Sequence, residues 1–168
     1  MIKKIPKILA INPGTRYSGI AVFKGSELLD WRVKVIKGKW SKEKQQKTLA
    51  LIRRFIEQCE PDVLAIKKLH RSRSSDNLNQ LVGRIKQLSR RKGLKVYQYT
   101  IKELEAFFFG EARANKNKLA KVLTSKYPFL VHEFNKERIN RNSYHIRVFE
   151  AIALGTVCFH QLENHFTR

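Results

Sequence analysis

The sequence predicts an α/β fold in which one mixed five-stranded sheet is flanked by helices on both faces. Short apolar runs typical of strands alternate with longer segments whose apolar residues are spaced for one face of a helix. The first three runs are joined by short turns, which indicates antiparallel strands, whereas helices separate the later runs and permit parallel pairing. A chain of 168 residues can close one hydrophobic core, so we expect a single domain over residues 1–168.

The first three strands are predicted to form an antiparallel meander. The apolar run 8–11 ends at an Asn-Pro-Gly sequence that cannot continue a central strand, so Asn12 lies at the strand tip. Residues 18–23 and 28–36 follow as the second and third strands, with a Lys-Gly-Ser turn between them.

The next elements are predicted to alternate between helix and parallel strand. They are a helix over 41–59 capped by Ser41, a strand over 62–66, a helix that begins at Ser74 or Ser75, and a strand over 94–99. The strand over 62–66 is wholly apolar after Asp62, which is typical of a strand buried on both faces. Because it would pair in parallel with the first strand, its tip at Lys67 should lie beside Asn12.

The C-terminal third is predicted to be helical. Helices are expected near 102–109, capped by Thr100, and near 116–127. A basic loop over 135–142 should then lead into a final helix over 143–165, which is apolar along one face.

The charge of the chain favours a polyanionic partner. Thirty-five Lys and Arg residues against fourteen Asp and Glu residues give a formal net charge of +21. Such a surface attracts nucleic acid by releasing the counterions condensed on phosphates. Anionic lipid is the main alternative that charge alone leaves open, although we expect no membrane association.

Little in the sequence indicates export or metal binding. The N-terminal apolar run is too short for a signal peptide or a membrane span, so we expect a cytoplasmic protein. Cys59 and Cys158 have no CxxC spacing and are predicted to be reduced core residues. A zinc-binding pattern is also absent from the sequence around His132, His145, His160 and His165.

Three segments resemble the motifs of RuvC-type Holliday-junction resolvases. They read ILAINPGTRYSGIAVF from residue 8, PDVLAIKKLH from residue 61 and RVFEAIALGTVCFH from residue 147. The family's first motif is a strand followed by Asp-Pro-Gly, its second is a strand that ends in glutamate, and its third is a helix with two aspartates three residues apart. The resemblance implies an RNase H-like fold and metal-dependent cleavage of branched DNA by two magnesium ions.

The resemblance also implies where catalytic acids would stand, and here the chain departs from the family. The four family positions fall on Asn12, Lys67, Arg147 and Glu150, so Glu150 is the only acid that remains. Hard divalent metals need carboxylate oxygens, whereas lysine and arginine repel a cation. We therefore expect no metal or other cofactor and a catalytically inactive protein. One hypothesis is that Lys67 pairs with Glu150; the alternative is that its ammonium reaches solvent.

Exposed cations are predicted to contact the phosphates of duplex or branched DNA. The candidates are a first group of Arg16, Lys68, Arg71 and Arg73, a second cluster of Arg90, Arg91 and Lys92, and a third charge run of Lys34, Lys37, Lys39, Lys42 and Lys44. Arg71 and Arg73 alternate with serines that can also bind phosphate oxygens.

Other functions remain open at this stage. The chain could be an active magnesium-dependent nuclease that uses a different acid such as Asp76, although this residue is more simply a helix-start residue. It could also be a YqgF-like RNA-processing domain, which is similar in fold, or an assembly module that binds an acidic protein. The resemblance weakly implies a homodimer.

Overall fold

The computed structural model describes residues 4–110, 115–140 and 143–165. Its five strands are β1 (Lys7–Asn12), β2 (Tyr17–Lys24), β3 (Glu27–Val35), β4 (Val63–Lys67) and β5 (Lys95–Tyr99). They form one sheet in the order β3-β2-β1-β4-β5. The first three strands pair antiparallel, and β4 pairs in parallel with both β1 and β5. The predicted mixed five-stranded sheet is therefore confirmed.

Six helices cover the sheet in the described residues. They are α1 (Lys42–Cys59), α2 (Asp76–Arg91), α3 (Ile101–Phe109), α4 (Lys116–Lys126), α5 (Val131–Asn140) and α6 (Ser143–His165). Side-chain oxygens accept hydrogen bonds from the first-turn backbone of four of these helices, at Ser41, Ser75, Thr100 and Asn115. These caps fix the starts of α1, α2 and α3 close to the predicted positions.

Alternate residues of the central strands face two separate apolar cores. Ile8 and Ala10 of β1 belong to the core under α3, α4 and α6, whereas Leu9 and Ile11 belong to the core under α1 and α2. Because successive strand residues point to opposite faces, Asn12 follows Ile8 and Ala10 onto the α6 face. The sheet is thus buried on both sides, as its apolar strands predict.

Helix α6 packs unusually close to the sheet because two glycines leave room for it. A Cβ atom added to Gly19 of β2 would lie 2.0 Å from the Arg147 carbonyl oxygen, and one added to Gly155 of α6 would lie 2.1 Å from the Phe23 ring. Both distances are impossible for real atoms. These glycines allow the middle of α6 to reach the ends of β1 and β4.

The prediction of a basic loop over 135–142 is wrong for residues 135–140, because these residues belong to α5. Its segment contains no proline or glycine, and Phe134 packs partly buried against the core on the α6 face. Charged residues are frequent in this segment, so its few apolar residues show no clear helical spacing in the sequence. Residues 141–142 lie outside the described residues.

The cysteines are free thiols, as predicted. Cys158 is buried in α6, and burial raises the pKa of its thiol to about 11. Cys59 is only half-buried at the end of α1, and burial again raises the pKa of its thiol. No helix among the described residues has the length and apolarity that a membrane crossing requires.

Candidate functional site

Three elements meet at one edge of the sheet. Asn12 ends β1 and Lys67 ends β4, and these parallel strands are paired through Ile11 and Ile66, one residue earlier in each. The shared register places both side chains on the face covered by α6. Glu150, in the first half of α6, lies between them.

A buried ion pair forms the centre of the site. The Lys67 Nζ atom lies 2.9 Å from Glu150 Oε2, and the side chains of the two residues are 22% and 4% exposed. Glu150 Oε2 also accepts a hydrogen bond of 2.7 Å from Asn12 Nδ2. The hypothesis that Lys67 pairs with Glu150 is therefore confirmed, although its side chain keeps a partly exposed side.

Asn12 connects β1 to the backbone of α6 as well as to the ion pair. Its Nδ2 atom donates to the Arg147 carbonyl oxygen at 3.3 Å, and the residue is fully buried. Its Oδ1 atom is buried without a hydrogen-bond partner. Asn12 thus uses its amide donors to hold α6 and leaves one neutral acceptor in the site.

Arg147 points toward the loop after β1. Its guanidinium donates to the Pro13 carbonyl oxygen at 3.1 Å. A Cβ atom added to Gly14 would lie 2.9 Å from Nη1 of Arg147. The Asn-Pro-Gly turn therefore gives the arginine both its acceptor and its space. The contact fastens α6 to the turn that follows Asn12.

The residues at this edge do not fit a two-magnesium centre. Glu150 is the one carboxylate of the four family positions, and the Lys67 ammonium already occupies its Oε2 atom. Lysine and arginine have donors only, so they cannot bind a cation. Within the described ranges, no three His, Cys, Asp or Glu residues group closely enough to hold a metal. Asp76, the acid considered as a substitute, is exposed in the first turn of α2.

Several predicted phosphate-binding residues lie next to this edge. Arg16 is exposed in the loop that follows Asn12, and Lys68 is exposed directly after Lys67. The Lys68 backbone N–H donates to the Tyr99 carbonyl oxygen at 2.8 Å, which fixes the chain where it leaves β4. Arg73 is exposed in a single helical turn over Arg71–Arg73. The Arg71 side chain lies outside the described part of the structure.

The second predicted cluster lies away from the site. Arg90, Arg91 and Lys92 are exposed at the end of α2, whose sixteen residues span about 24 Å from its start near the site edge. Lys92 Nζ also lies 3.2 Å from Glu57 Oε1 of α1. The structure therefore separates these three cations from Arg16, Lys68 and Arg73.

Sequence reasoning missed a cavity beside the site. It has a volume of about 670 Å³ and lies between the β1–β2 loop and the segment that leads from β3 into α1. Three lysines of the predicted charge run line it together with Trp40, which no motif singled out. The position of a lone tryptophan between Lys39 and the capping Ser41 was the available signal.

The sheet order and the meeting of β1, β4 and α6 at one edge define an RNase H-like fold. A family model described as crossover junction endodeoxyribonuclease RuvC matches residues 8–128, so the chain belongs to the RuvC family. This match includes Asn12 and Lys67 but ends before α6.

Individual relatives agree with this assignment. The crossover junction endodeoxyribonuclease RuvC of Corynebacterium diphtheriae is 28% identical over 125 residues, which covers 69% of this chain and 77% of the relative. Thermus thermophilus RuvC, solved in complex with Holliday junction substrate, has a TM-score of 0.69 at 18% identity and covers 94% of this chain and 96% of its own. The yeast mitochondrial Holliday junction resolvase Ydc2 has a TM-score of 0.62 at 12% identity, with 99% and 83% coverage. The two structural likenesses establish the fold.

Proposed function

We propose that this chain binds branched or duplex DNA through the phosphate backbone and does not cleave it. The Thermus thermophilus relative was solved with a Holliday junction substrate, which supports a branched DNA as the ligand. The net charge of +21 supports a polyanion. Loss of cleavage is the part of the proposal that depends on this chain's own residues.

The Lys67–Glu150 ion pair is the observation that carries the proposal. A carboxylate that already accepts from an ammonium 2.9 Å away has little capacity left for a divalent metal, and the ammonium repels such a metal. The same ammonium favours a phosphate oxygen that approaches the exposed side of Lys67. Replacing acids by cations therefore changes a centre that would bind metal into one that can hold phosphate.

The surface around the pair supports backbone contacts without base recognition. Arg16, Lys68 and Arg73 are exposed at the same edge of the sheet. Contacts from lysine and arginine to phosphates position DNA but carry no sequence information. We therefore expect affinity that falls steeply with salt and depends little on base sequence.

The proposal is tested with a synthetic four-way junction and a duplex of matched length. The wild-type protein should shift both DNAs and leave both strands intact in Mg²⁺ or Mn²⁺. Lys68→Ala with Arg73→Ala should weaken binding to any sequence and reduce the slope of log affinity against log salt by about two. Metal-dependent cleavage by the wild type, absent from a Glu150→Gln preparation, would contradict the proposal.

A variant with three restored acids tests the assignment of the site. Asn12→Asp, Lys67→Glu and Arg147→Asp together place four carboxylates where the structure brings β1, β4 and α6 together. We expect this variant to gain Mn²⁺-dependent cleavage of the junction, or at least Mn²⁺-dependent thermal stabilisation. A folded variant that gains neither would leave the assignment of these four positions without support.

A further inference from the structure

The cavity beside the site has the size and lining of a ligand pocket. Its volume of about 670 Å³ lies within the range of small-molecule sites in proteins. The walls come from the β1–β2 loop, the end of β3 and the start of α1. Its nine lining residues include Arg16, Tyr17, Lys37, Lys39, Trp40 and Lys44.

The charge of the lining selects an anion. Four lining residues are cations, and none of the nine is acidic. Lys44 is 6% exposed, and its ammonium donates to the Gly38 carbonyl oxygen at 2.8 Å. An ammonium has three donors, so this bond leaves donors for a ligand in the cavity. Lys37 and Lys39 are exposed at the rim.

The aromatic residues of the lining add a surface for a planar group. Trp40 and Tyr17 are both half-buried, so part of each ring faces the cavity. Trp40 packs on the core beneath α1, and the Lys44 ammonium lies 6.0 Å from its ring centroid. The Arg16 guanidinium lies 5.2 Å from the centroid of the Tyr17 ring. Proteins that bind single-stranded nucleic acid combine aromatic rings, on which bases stack, with cations that contact the phosphates.

We propose that this cavity receives an unpaired nucleotide of a bound DNA strand, with its base against Trp40 and its phosphates on the surrounding lysines. The inference rests on the proposed function, because the duplex part of the same DNA would lie on the Lys67 edge. Asn12 and Arg16 are only four residues apart, so one loop borders both places. The cavity would thereby favour DNA with frayed or single-stranded ends over fully paired DNA.

Tryptophan fluorescence can observe this contact directly, because the chain has only two tryptophans. Trp31 lies with the core on the α6 face and stacks against Phe129 with ring centroids 4.9 Å apart. The Trp31→Phe variant therefore leaves Trp40 as the sole reporter. This variant is titrated with a blunt duplex and with the same duplex extended by a short thymidine overhang.

We expect the overhang to quench Trp40 emission and the blunt duplex to leave it nearly unchanged. Trp40→Ala should weaken binding of the overhang DNA about tenfold, and Trp40→Phe should retain most of the affinity. Blunt-duplex affinity should stay constant in both variants. Trp31→Ala, a matched loss of a half-buried tryptophan on the other face, should leave the preference for the overhang intact.

Two negative results would be distinguishable. Equal affinity for both DNAs, with Trp40 emission unaffected by either, would overturn the nucleotide pocket and leave the proposed function standing. Failure of a folded wild-type protein to bind any of the DNAs would overturn the proposed function together with the pocket. Circular dichroism of each variant establishes that it is folded before binding is compared.

Discussion

Two lysine–carboxylate pairs lie at opposite ends of β4, with the same separation but different surroundings. Lys4 Nζ lies 2.9 Å from Asp62 Oδ1 just before the strand, and Lys67 Nζ lies 2.9 Å from Glu150 Oε2 at its end. The side chains of the first pair are 81% and 33% exposed, whereas those of the second are 22% and 4% exposed. Distance alone therefore cannot distinguish the two pairs.

The difference in burial determines how much stability the protein loses when one partner of each pair is removed. Water screens an exposed pair, which typically contributes less than about 1 kcal/mol. A buried pair also adds little net stability, but removal of one partner leaves an uncompensated charge and costs about 3–5 kcal/mol. The Lys67–Glu150 pair thus makes the lysine difficult to replace by itself. The fold therefore depends on this lysine as long as Glu150 is present.

The largest effect should come from Lys67→Met. Methionine keeps an aliphatic side chain at the end of β4 but leaves Glu150 buried without a counter-charge. We expect a loss of about 3 kcal/mol in the free energy of unfolding, measured by urea denaturation at neutral pH.

Two matched variants sharpen this prediction. Lys4→Met, the same substitution in the exposed pair, should change the free energy of unfolding by less than about 0.5 kcal/mol. Adding Glu150→Gln to Lys67→Met should recover most of the lost stability, because no buried charge then remains. An equal loss in the free energy of unfolding for Lys4→Met and Lys67→Met would contradict the view that burial makes the two pairs differ in their effect on stability.

A smaller effect is expected from Gly19→Ala, which tests the close packing of α6 that brings Glu150 to Lys67. The new methyl group would meet the Arg147 carbonyl oxygen, so α6 must shift. We expect a loss of about 2 kcal/mol in thermal or urea unfolding. Gly83→Ala is the control, because Gly83 lies within α2 with no atom near its added Cβ. That substitution should stabilise the protein by about 0.5 kcal/mol, and destabilisation by both variants alike would contradict the packing explanation.

The smallest effect concerns the exposed pair, and it disappears in acid. Burial acts to raise the pKa of Asp62, but hydrogen bonds from the Lys7 backbone and the Lys4 ammonium prevail and hold it below its ordinary value of 3.8. The unfolded chain therefore binds the proton more readily than the folded one. The stabilisation is complete above this ordinary value and is lost as pH falls through the lower pKa of the folded state.

Asp62→Asn should remove this contribution. We expect its free energy of unfolding to fall below that of the wild type by less than about 1 kcal/mol at pH 6. The two proteins should converge as the pH drops below 3.8, which urea unfolding at a series of pH values would measure. A difference that widens toward acid would mean that the pKa of Asp62 is raised instead.

The features predicted correctly share a local cause. Ser41, Ser75 and Thr100 cap helices because each side chain bonds to backbone within three residues. The strand tips at Asn12 and Lys67 follow from apolar runs that end abruptly, and parallel pairing then brings the tips together. Glu150 was placed at this edge through the spacing of the third motif.

The features that sequence reasoning missed depend on distant residues. The segment over 135–140 was predicted as a loop, yet Phe134 packs on the core of α6 and the segment forms α5. The cavity at Trp40 arises because the start of α1 lies against the β1–β2 loop.

The sequence by itself determined the order of elements apart from α5, the family, the charge and the identity of the four residues at the site edge, because these follow from local patterns and composition. Only the tertiary structure decided that the Lys67 ammonium turns inward to Glu150 instead of outward to water. That choice depends on how closely α6 approaches the sheet and how much water it excludes. The burial of the Lys67–Glu150 pair depends on residues from β1, β2, β4 and α6 together, so it cannot be predicted from any single segment of the chain.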